Sequence, residues 1–174
     1  IKKIMKSRKN IVFLGMMGSG KSSIGKLVSQ KLKFNFFDID TCIEKDLGIK
    51  ITEIFKYKGE QFFRDIEEKT SLNLLKKKDA VIALGGGAFM NKKIRDEVIS
   101  KHLSFWLKCK KETILKRIKN NPKRPIAIKS STKDLINLMK KRAKIYSNAI
   151  YHVDCDNLSK NIIAKNIINI YETN

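Results

Sequence analysis

The sequence is poor in cysteine, and this scarcity excludes the small disulfide-bonded proteins. Its 174 residues include three cysteines, Cys42, Cys109 and Cys155, and no two of them form a CxxC pair. Such spacing does not indicate a zinc site or a disulfide framework. We therefore expect reduced cysteines that fill packing positions in a cytoplasmic protein.

The sequence also lacks a long apolar run. Residues 1–9 are basic, and the apolar stretch after them extends only from Ile11 to Met17 before Gly18 interrupts it. This stretch is too short for a transmembrane helix, and it does not have the pattern of a signal peptide. We expect no membrane association. A chain of this length is expected to form one domain, over residues 10–174, behind a basic extension at 1–9.

Acidic residues are scarce, since 17 Asp and Glu stand against 38 Lys and Arg and give a net charge of +21. This charge favours anionic ligands, and a nucleic-acid-binding module is one alternative. The lysines are scattered along the chain, however, and no aromatic-rich RNA-binding pattern or zinc-finger spacing accompanies them. We expect no nucleic-acid partner and interpret most of the lysines as solvated surface.

Proline is almost absent, and its position is informative. Pro122 and Pro125 are the two prolines of the chain, and both lie in a polar segment at about 120–132 that indicates a mobile lid. Elsewhere apolar runs alternate with helical patterns, which indicates a parallel sheet with helices on both faces. The predicted strands lie at 11–14, 34–37, 80–84, 103–107 and, more weakly, 150–153.

The end of the chain has the periodicity of an amphipathic helix. Its apolar residues recur at helical spacing over residues 158–171. We expect this helix to pack inward through four isoleucines, Ile162, Ile163, Ile167 and Ile170.

One glycine-rich segment is specific. Residues Gly15 to Ser22 read GMMGSGKS and match the phosphate-loop pattern GxxxxGKS, between a predicted strand and a predicted helix. In this pattern the backbone N–H groups surround a phosphate at the helix N-terminus. We expect Lys21 to contact the β- and γ-phosphates of a nucleotide and Ser22 to bind Mg²⁺.

Two aspartates, Asp38 and Asp40, follow the second predicted strand. If the strand continues through them, side-chain alternation places both carboxylates on the same side, towards the ligand crevice. One of them could then serve the Mg²⁺ shell while the other receives a substrate hydroxyl. The alternative is that Asp40 caps a helix that begins near Thr41.

Three consecutive glycines at 85–87 follow the third predicted strand and allow a ligand to lie against bare backbone. Arg64 has Glu67 one helical turn away. This pair either decorates the helix or lets Glu67 orient a guanidinium that clamps a carboxylate. Further arginines that could stabilise phosphoryl charge flank the predicted lid or lie within it, namely Arg117, Arg124 and Arg142.

In this order and spacing, the segments resemble the shikimate kinases over about residues 10–172. They are the phosphate loop, Asp38 and Asp40, 59–67 (GEQFFRDIE), the glycines 85–87, Arg124-Pro125 and 142–146 (RAKIY). The resemblance implies an α/β phosphate-loop NTPase fold like that of the nucleoside monophosphate kinases, with three α/β/α layers, a five-stranded parallel sheet and a mobile lid. It also implies transfer of the ATP γ-phosphoryl group to the 3-hydroxyl of shikimate, giving shikimate 3-phosphate on the pathway to chorismate and aromatic amino acids.

The resemblance further implies the roles of single residues. Asp40 would be the base and would bind shikimate together with Arg64, Gly86, Gly87 and Arg142, while Glu67 would brace Arg64. One Mg²⁺ per subunit would be held by Ser22 and Asp38. Lys21 and Arg124 would neutralise phosphate charge, and Arg117 would pack against adenine. The implied ATP site comprises Gly18, Ser19, Gly20, Lys21, Ser22, Ser23, Arg117 and Arg124. We expect the enzyme to be a monomer with ATP and shikimate as its partners.

Two other phosphate-loop classes compete with this interpretation. A gluconate or nucleotide kinase shares the loop and the fold, but it has no need for paired arginines suited to a small carboxylate. A GTPase would need a guanine-reading NKxD, and the segment 91–94 (NKKI) lacks the aspartate. The chain departs from the family at 153–158, where family members often carry an additional arginine beside the adenine.

Overall fold

The computed structural model describes residues 9–119 and 131–174, and these form a five-stranded parallel sheet with helices on both faces. The strands are β1 (Ile11–Leu14), β2 (Asn35–Asp38), β3 (Ala80–Ala83), β4 (Leu103–Lys108) and β5 (Tyr151–Asp154). Their order across the sheet is β2-β3-β1-β4-β5, with every pairing parallel. The predicted sheet is confirmed.

The helices alternate with the strands along the chain, as parallel connections require. They are α1 (Lys21–Leu32), α2 (Ile39–Leu47), α3 (Ile51–Tyr57), α4 (Gly59–Leu75), a 3₁₀ turn (Ala88–Met90), α5 (Lys92–Lys101), α6 (Lys111–Lys119), α7 (Thr132–Tyr146) and α8 (Lys160–Glu172). No helix within the described residues is both long and apolar enough to cross a membrane.

The central strand β1 shows why the fold has three layers. Its residues alternate between two hydrophobic cores, with Val12 and Leu14 in one and Ile11 and Phe13 in the other. All four are at most 1% exposed. Full burial of such a side chain stabilises a fold by about 1.5–3 kcal/mol, so β1 requires helices on both faces.

The sheet order determines where a ligand can bind. From β1 the chain proceeds to β2 and β3 on one side, and later to β4 and β5 on the other side. In an open parallel sheet, the crevice for ligands lies at the carboxyl ends of the strands where this order reverses. The segments after β1 and β3 therefore meet at the centre of this edge.

Asn10, immediately before β1, has a role that the sequence did not reveal. It is 3% exposed, and its side-chain amide donates to Leu75 O at 3.1 Å and to Lys77 O at 2.6 Å. Its Oδ1 accepts from the backbone N–H of Ala80 at 3.1 Å. One buried amide thus fixes the end of α4 and the start of β3 beside β1.

Three predicted segments need comment: the last helix, the lid and the basic N-terminal extension. The last helix packs inward through Ile163 and Ile167, whereas Ile162 is 48% exposed, so the prediction for Ile162 is wrong. Ser131, whose hydroxyl accepts from Asp134 N at 3.1 Å, caps α7. The rest of the predicted lid, residues 120–130, and residues 1–8 of the basic extension lie outside the described residues.

Candidate active site

The phosphate loop joins β1 to α1, and its glycines meet requirements that other residues do not. Gly15 has a φ of 146°, and a Cβ at this position would lie 2.8 Å from Leu107 O. Gly20 precedes α1 with a φ of 98°, a left-handed conformation that costs a side-chain-bearing residue about 1–2 kcal/mol. The loop thus keeps its backbone open at the N-terminus of α1, which favours an anion.

The loop borders a cavity of about 290 Å³ that is lined by Gly18, Gly20, Lys21, Ser22, Ser23, Arg117, Ile118 and Lys160. Lys21 Nζ donates to the carbonyl oxygens of Gly15 at 2.8 Å and Met16 at 3.0 Å. Ser19 is not among the residues that line this cavity; it is 1% exposed, and its backbone N–H donates to Met16 O at 3.1 Å. Among the predicted ATP-binding residues 18–23, Ser19 is therefore the one that is buried in the protein and does not border the cavity.

Ser22 and Asp38 are brought together across the gap between α1 and β2. The Ser22 hydroxyl donates to Asp38 Oδ2, and Asp38 Oδ1 accepts from Thr41 N at 3.2 Å. A hydroxyl and a carboxylate in contact are oxygen ligands of the kind that Mg²⁺ prefers. Across the described residues no group of three or more His, Cys, Asp or Glu could hold a metal, so a Mg²⁺ here would depend on phosphate and water oxygens as well.

Asp38 is extended as the last residue of β2, but the expected continuation of the strand through Asp40 is wrong. Helix α2 begins at Ile39, and Asp38 is its N-cap, so Asp40 lies in the first helical turn. The alternative that Asp40 is the cap is wrong for the same reason. Because Asp38 caps the helix, the two aspartates separate, with Asp38 directed to Ser22 and Asp40 to the glycines after β3.

Asp40 and Glu67 approach the same glycine. A Cβ at Gly85 would lie 2.9 Å from Asp40 Oδ1 and 2.5 Å from Glu67 Oε1, so a side chain here would displace one or both carboxylates. Glu67 is 2% exposed. Burial raises the pKa of Glu67 and the Asp40 charge adds to this effect, while Arg64 and Arg142 act in the opposite direction.

The two arginines that are 78 positions apart reach neighbouring glycines. Arg64 Nη1 would lie 2.6 Å from a Cβ at Gly87, and Arg142 Nη1 would lie 3.1 Å from a Cβ at Gly86. Arg64 Nη1 also donates to Glu67 Oε2 at 2.6 Å. Burial disfavours the charge of Arg64, but the carboxylates of Glu67 and Glu60 outweigh it and raise the pKa of the guanidinium.

Tyr146 is a site residue that our sequence analysis missed. Its hydroxyl donates to Gly86 O, and the side chain is 1% exposed. Burial raises the pKa of Tyr146 to about 12, so it remains a donor at neutral pH. Its position four residues after Arg142 on α7 was the available signal, since residues at this spacing share a helix face.

On the nucleotide side, Arg117 Nη1 donates to Gly18 O at 2.9 Å. The segment after β5, where the family's arginine is missing, is fixed by Asp156, which accepts from Lys110 N at 2.8 Å and from Thr113 Oγ1 at 2.6 Å. This carboxylate ties the segment to the start of α6. Arg124, predicted to act on the phosphates, lies outside the described residues.

Comparisons with known proteins agree with this geometry. A family model described as shikimate kinase matches residues 17–172. A shikimate kinase from Thermodesulfovibrio yellowstonii is 38% identical over 165 residues, which cover 94% of this chain and 95% of that protein. Among solved structures, a shikimate kinase from Acinetobacter baumannii in complex with shikimate superposes with a TM-score of 0.89 at 28% identity, covering 95% of this chain and 93% of the other.

The same fold extends to more distant kinases. A deoxyadenosine kinase from M. mycoides, solved with products dCMP and a flexible dCDP bound, superposes with a TM-score of 0.64 at 19% identity, which shows a shared fold alone. The predicted α/β phosphate-loop fold, which kinases of this kind share, is therefore confirmed. The match of the family model over most of the chain, together with relatives at this identity and coverage, shows that the chain belongs to the shikimate kinase family.

Proposed function

We propose that the protein is a shikimate kinase that transfers the γ-phosphoryl group of ATP to the 3-hydroxyl of shikimate, a step towards chorismate and the aromatic amino acids. The observation that carries this proposal is the convergence of Arg64 and Arg142 on Gly87 and Gly86, beside the phosphate loop. A Cβ at Gly86 would lie 3.6 Å from Met17 N, so the two loops are in contact. A phosphate site and a site for a small carboxylate thus adjoin.

The nucleotide half binds ATP through the phosphate loop. The backbone of Gly18 to Ser23 and the N-terminus of α1 receive the phosphates. Lys21, now on the loop carbonyls, turns to the β- and γ-phosphates when they bind. Arg117 stays close to the loop through Gly18 O and offers the adenine a flat guanidinium surface. Arg124 is assigned to the phosphates by its place in the motif.

Ser22 and Asp38 would hold one Mg²⁺, because their oxygens are adjacent and Ser22 is the last residue of the phosphate loop. When bound, the ion neutralises charge on the β- and γ-phosphates. The Asp38 carboxylate is held in position because it caps α2. Its oxygens would therefore already be in place before a Mg²⁺ ion binds.

The acceptor half holds shikimate by its carboxylate and its hydroxyls. Arg64 and Arg142 present two guanidinium groups, whose planar forks suit a carboxylate better than lysine does. Gly86 and Gly87 leave bare backbone between them for the ligand. Glu67 fixes one guanidinium from a buried position, and Tyr146 fixes the carbonyl of Gly86.

Asp40 stands at the junction of the two halves and acts as the base. The 3-hydroxyl oxygen attacks the γ-phosphorus, the bond from that phosphorus to the bridging oxygen breaks, and ADP leaves. Asp40 accepts the hydroxyl proton. Most of the rate enhancement comes from positioning and from charge stabilisation, as in other phosphoryl transfers. We further propose that the enzyme acts in the cytoplasm as a monomer, without nucleic acid or membrane.

A coupled assay of ADP release tests this function. We expect ATP-dependent release with shikimate and none above background with gluconate or nucleoside monophosphates. GTP in place of ATP should support less turnover. Comparable turnover with gluconate or with a nucleoside monophosphate would contradict the proposal and assign the acceptor half to another substrate.

A further inference from the structure

Two of the three cysteines, far apart in sequence, are neighbours in the fold. Strands β4 and β5 pair up to Lys108 and Asp154, and the N–H of Cys155 donates to Lys108 O at 2.9 Å. Cys109 and Cys155 are therefore the next residues on two adjacent parallel segments. Adjacent strands lie about 4.8 Å apart, within the range of about 4.4–6.8 Å that a disulfide spans between Cα atoms.

Cys109 also contacts the phosphate loop. Its thiol points to Ser19 O at 3.8 Å, and Arg117 Nη1 lies 3.8 Å from its sulfur. The same guanidinium nitrogen donates to Gly18 O at 2.9 Å. The state of the Cys109 sulfur is thus linked to two carbonyls of the loop that receives the nucleotide.

The two thiols differ in chemistry and in exposure. A hydrogen bond with Cys155 lowers the pKa of Cys109 and the Arg117 charge lowers it further, against the effect of burial. The contact with Cys109 and burial raise the pKa of Cys155. Cys109 lines a cavity of about 210 Å³, whereas Cys155 is 3% exposed. Cys109 therefore suits the attacking thiol and Cys155 the resolving one.

We propose that Cys109 and Cys155 are a redox-sensitive dithiol that hydrogen peroxide converts to a disulfide, and that this disulfide weakens nucleotide binding. Cys109 first releases its proton, and its thiolate attacks a peroxide oxygen, so an S–O bond forms, the O–O bond breaks, and the hydroxide that leaves takes up the released proton to give water. Cys155 sulfur then attacks the sulfenic acid of Cys109, so an S–S bond forms, the S–O bond breaks, and a second water leaves with the Cys155 proton. Two thiols lose two electrons, and the peroxide gains them.

The disulfide acts on the nucleotide through two lost contacts. Cys109 no longer has an S–H to donate to Ser19 O, and its sulfur turns towards Cys155 and away from Arg117. Arg117 then holds Gly18 O less firmly. We expect nucleotide affinity to fall about threefold to tenfold, the effect of losing weak polar contacts. This part rests on the proposed ATP site, whereas disulfide formation does not.

The test compares reduced and peroxide-treated protein by thiol titration, by mass spectrometry of the peptides that carry Cys109 and Cys155, and by calorimetric binding of a non-hydrolysable ATP analogue. Wild type should lose two of its three thiols, with the two peptides linked, and should bind the analogue more weakly until dithiothreitol is added. The Cys42→Ala variant is the control: it should form the same linked pair and show the same loss of affinity, but it should retain no free thiol after treatment.

Before peroxide treatment the Cys155→Ala variant should bind the analogue like the reduced wild type, and after treatment it should form no disulfide. Peroxide treatment that leaves Cys155 free while Cys109 is oxidised further would overturn the proposal, and so would a linked pair with unchanged affinity for the analogue. If the reduced protein binds the analogue but does not phosphorylate shikimate, the proposed function fails while this inference stands. The same measurements on wild type decide the matter if Cys155→Ala does not fold.

Discussion

The two halves of the site are built in opposite ways. The nucleotide half is built mainly on one contiguous segment, residues 15–23, and residues of this segment line the cavity together with Arg117, Ile118 and Lys160. The acceptor half is assembled from α2, α4, the turn after β3 and α7, and it presents side chains to the ligand. A backbone site tolerates most substitutions that keep its conformation, whereas a side-chain site depends on each group. Substitutions in the two halves should therefore have different effects on catalysis, on ATP binding and on shikimate binding.

The largest effect is expected from Lys21→Ala, because we propose that Lys21 turns from the carbonyls of Gly15 and Met16 to the β- and γ-phosphates. A cation that stabilises the charge of the transferring phosphoryl group, such as an arginine finger, is worth about 10³–10⁵-fold in kcat, and we expect a loss in this range. Steady-state kinetics measure the loss, and circular dichroism should show an unchanged fold. Lys26→Ala, at an exposed position on the same helix, is the matched control and should keep full activity. Near-normal turnover of a well-folded Lys21→Ala protein would contradict the proposal that residues 15–22 bind the phosphates of ATP.

Asp40→Asn should separate chemistry from nucleotide binding. The amide keeps the shape of the side chain beside Gly85 but loses the charge and the proton acceptor. Loss of a general base costs about 10²–10⁴-fold in rate, so kcat should fall by that range while ATP affinity is retained. Asp46→Asn, exposed on the same helix, is the control. A collapse of ATP affinity with normal shikimate binding would place Asp40 in the nucleotide half instead.

Arg64→Lys and Arg142→Lys test whether the acceptor half is a carboxylate clamp. Lysine keeps the charge but loses the planar fork, so the KM for shikimate should rise about tenfold or more while that for ATP changes little. Arg95→Lys is the control, because Arg95 bonds the carbonyls of Phe89 and Met90 outside the site.

The two arginines should also be coupled. If both hold one carboxylate, the double variant should cost less than the sum of the two single losses, and a double-mutant cycle measures this difference. Additive effects within error, or an equal rise in the KM for ATP, would show that these arginines are structural. The case for a carboxylate substrate would then weaken.

The contrast between the halves also explains what the sequence could predict. The phosphate loop is local, so its pattern was sufficient, and the strands followed from their apolar runs. Asp38 and Asp40 point in different directions because Asp38 caps α2. The sequence could not predict this, because a strand that continues through Asp40 is compatible with the same residues. The sequence could place Tyr146 only on the helix face of Arg142, because its partner, the backbone carbonyl of Gly86, is 60 positions away. The strand order and the pairing of Arg64 with Arg142 likewise depend on tertiary contacts.

The smallest effect is expected from Glu67→Gln, which tests the support beneath the clamp. The amide oxygen still accepts from Arg64, but the charge that orients the guanidinium is lost. We expect the KM for shikimate to rise about threefold to tenfold, equivalent to about 1 kcal/mol, with kcat nearly unchanged. Glu60→Gln removes the more exposed partner of the same arginine and, as the control, should raise the KM less.

The same substitution should change how stability depends on pH. Burial raises the pKa of Glu67 above its ordinary value of 4.5, so the folded protein holds this proton more tightly than the unfolded chain does. The free energy of unfolding of wild type should therefore fall as pH rises from 4.5 through the raised pKa, and Glu67→Gln should lack this loss. Urea unfolding at several pH values measures the difference in the free energy of unfolding between the two proteins. As pH rises, this difference should shift in favour of Glu67→Gln and then level off above the raised pKa. A shift of this difference in favour of wild type as pH rises would mean that the ion pair with Arg64 outweighs burial. The ionised Glu67 would then stabilise the folded protein rather than destabilise it.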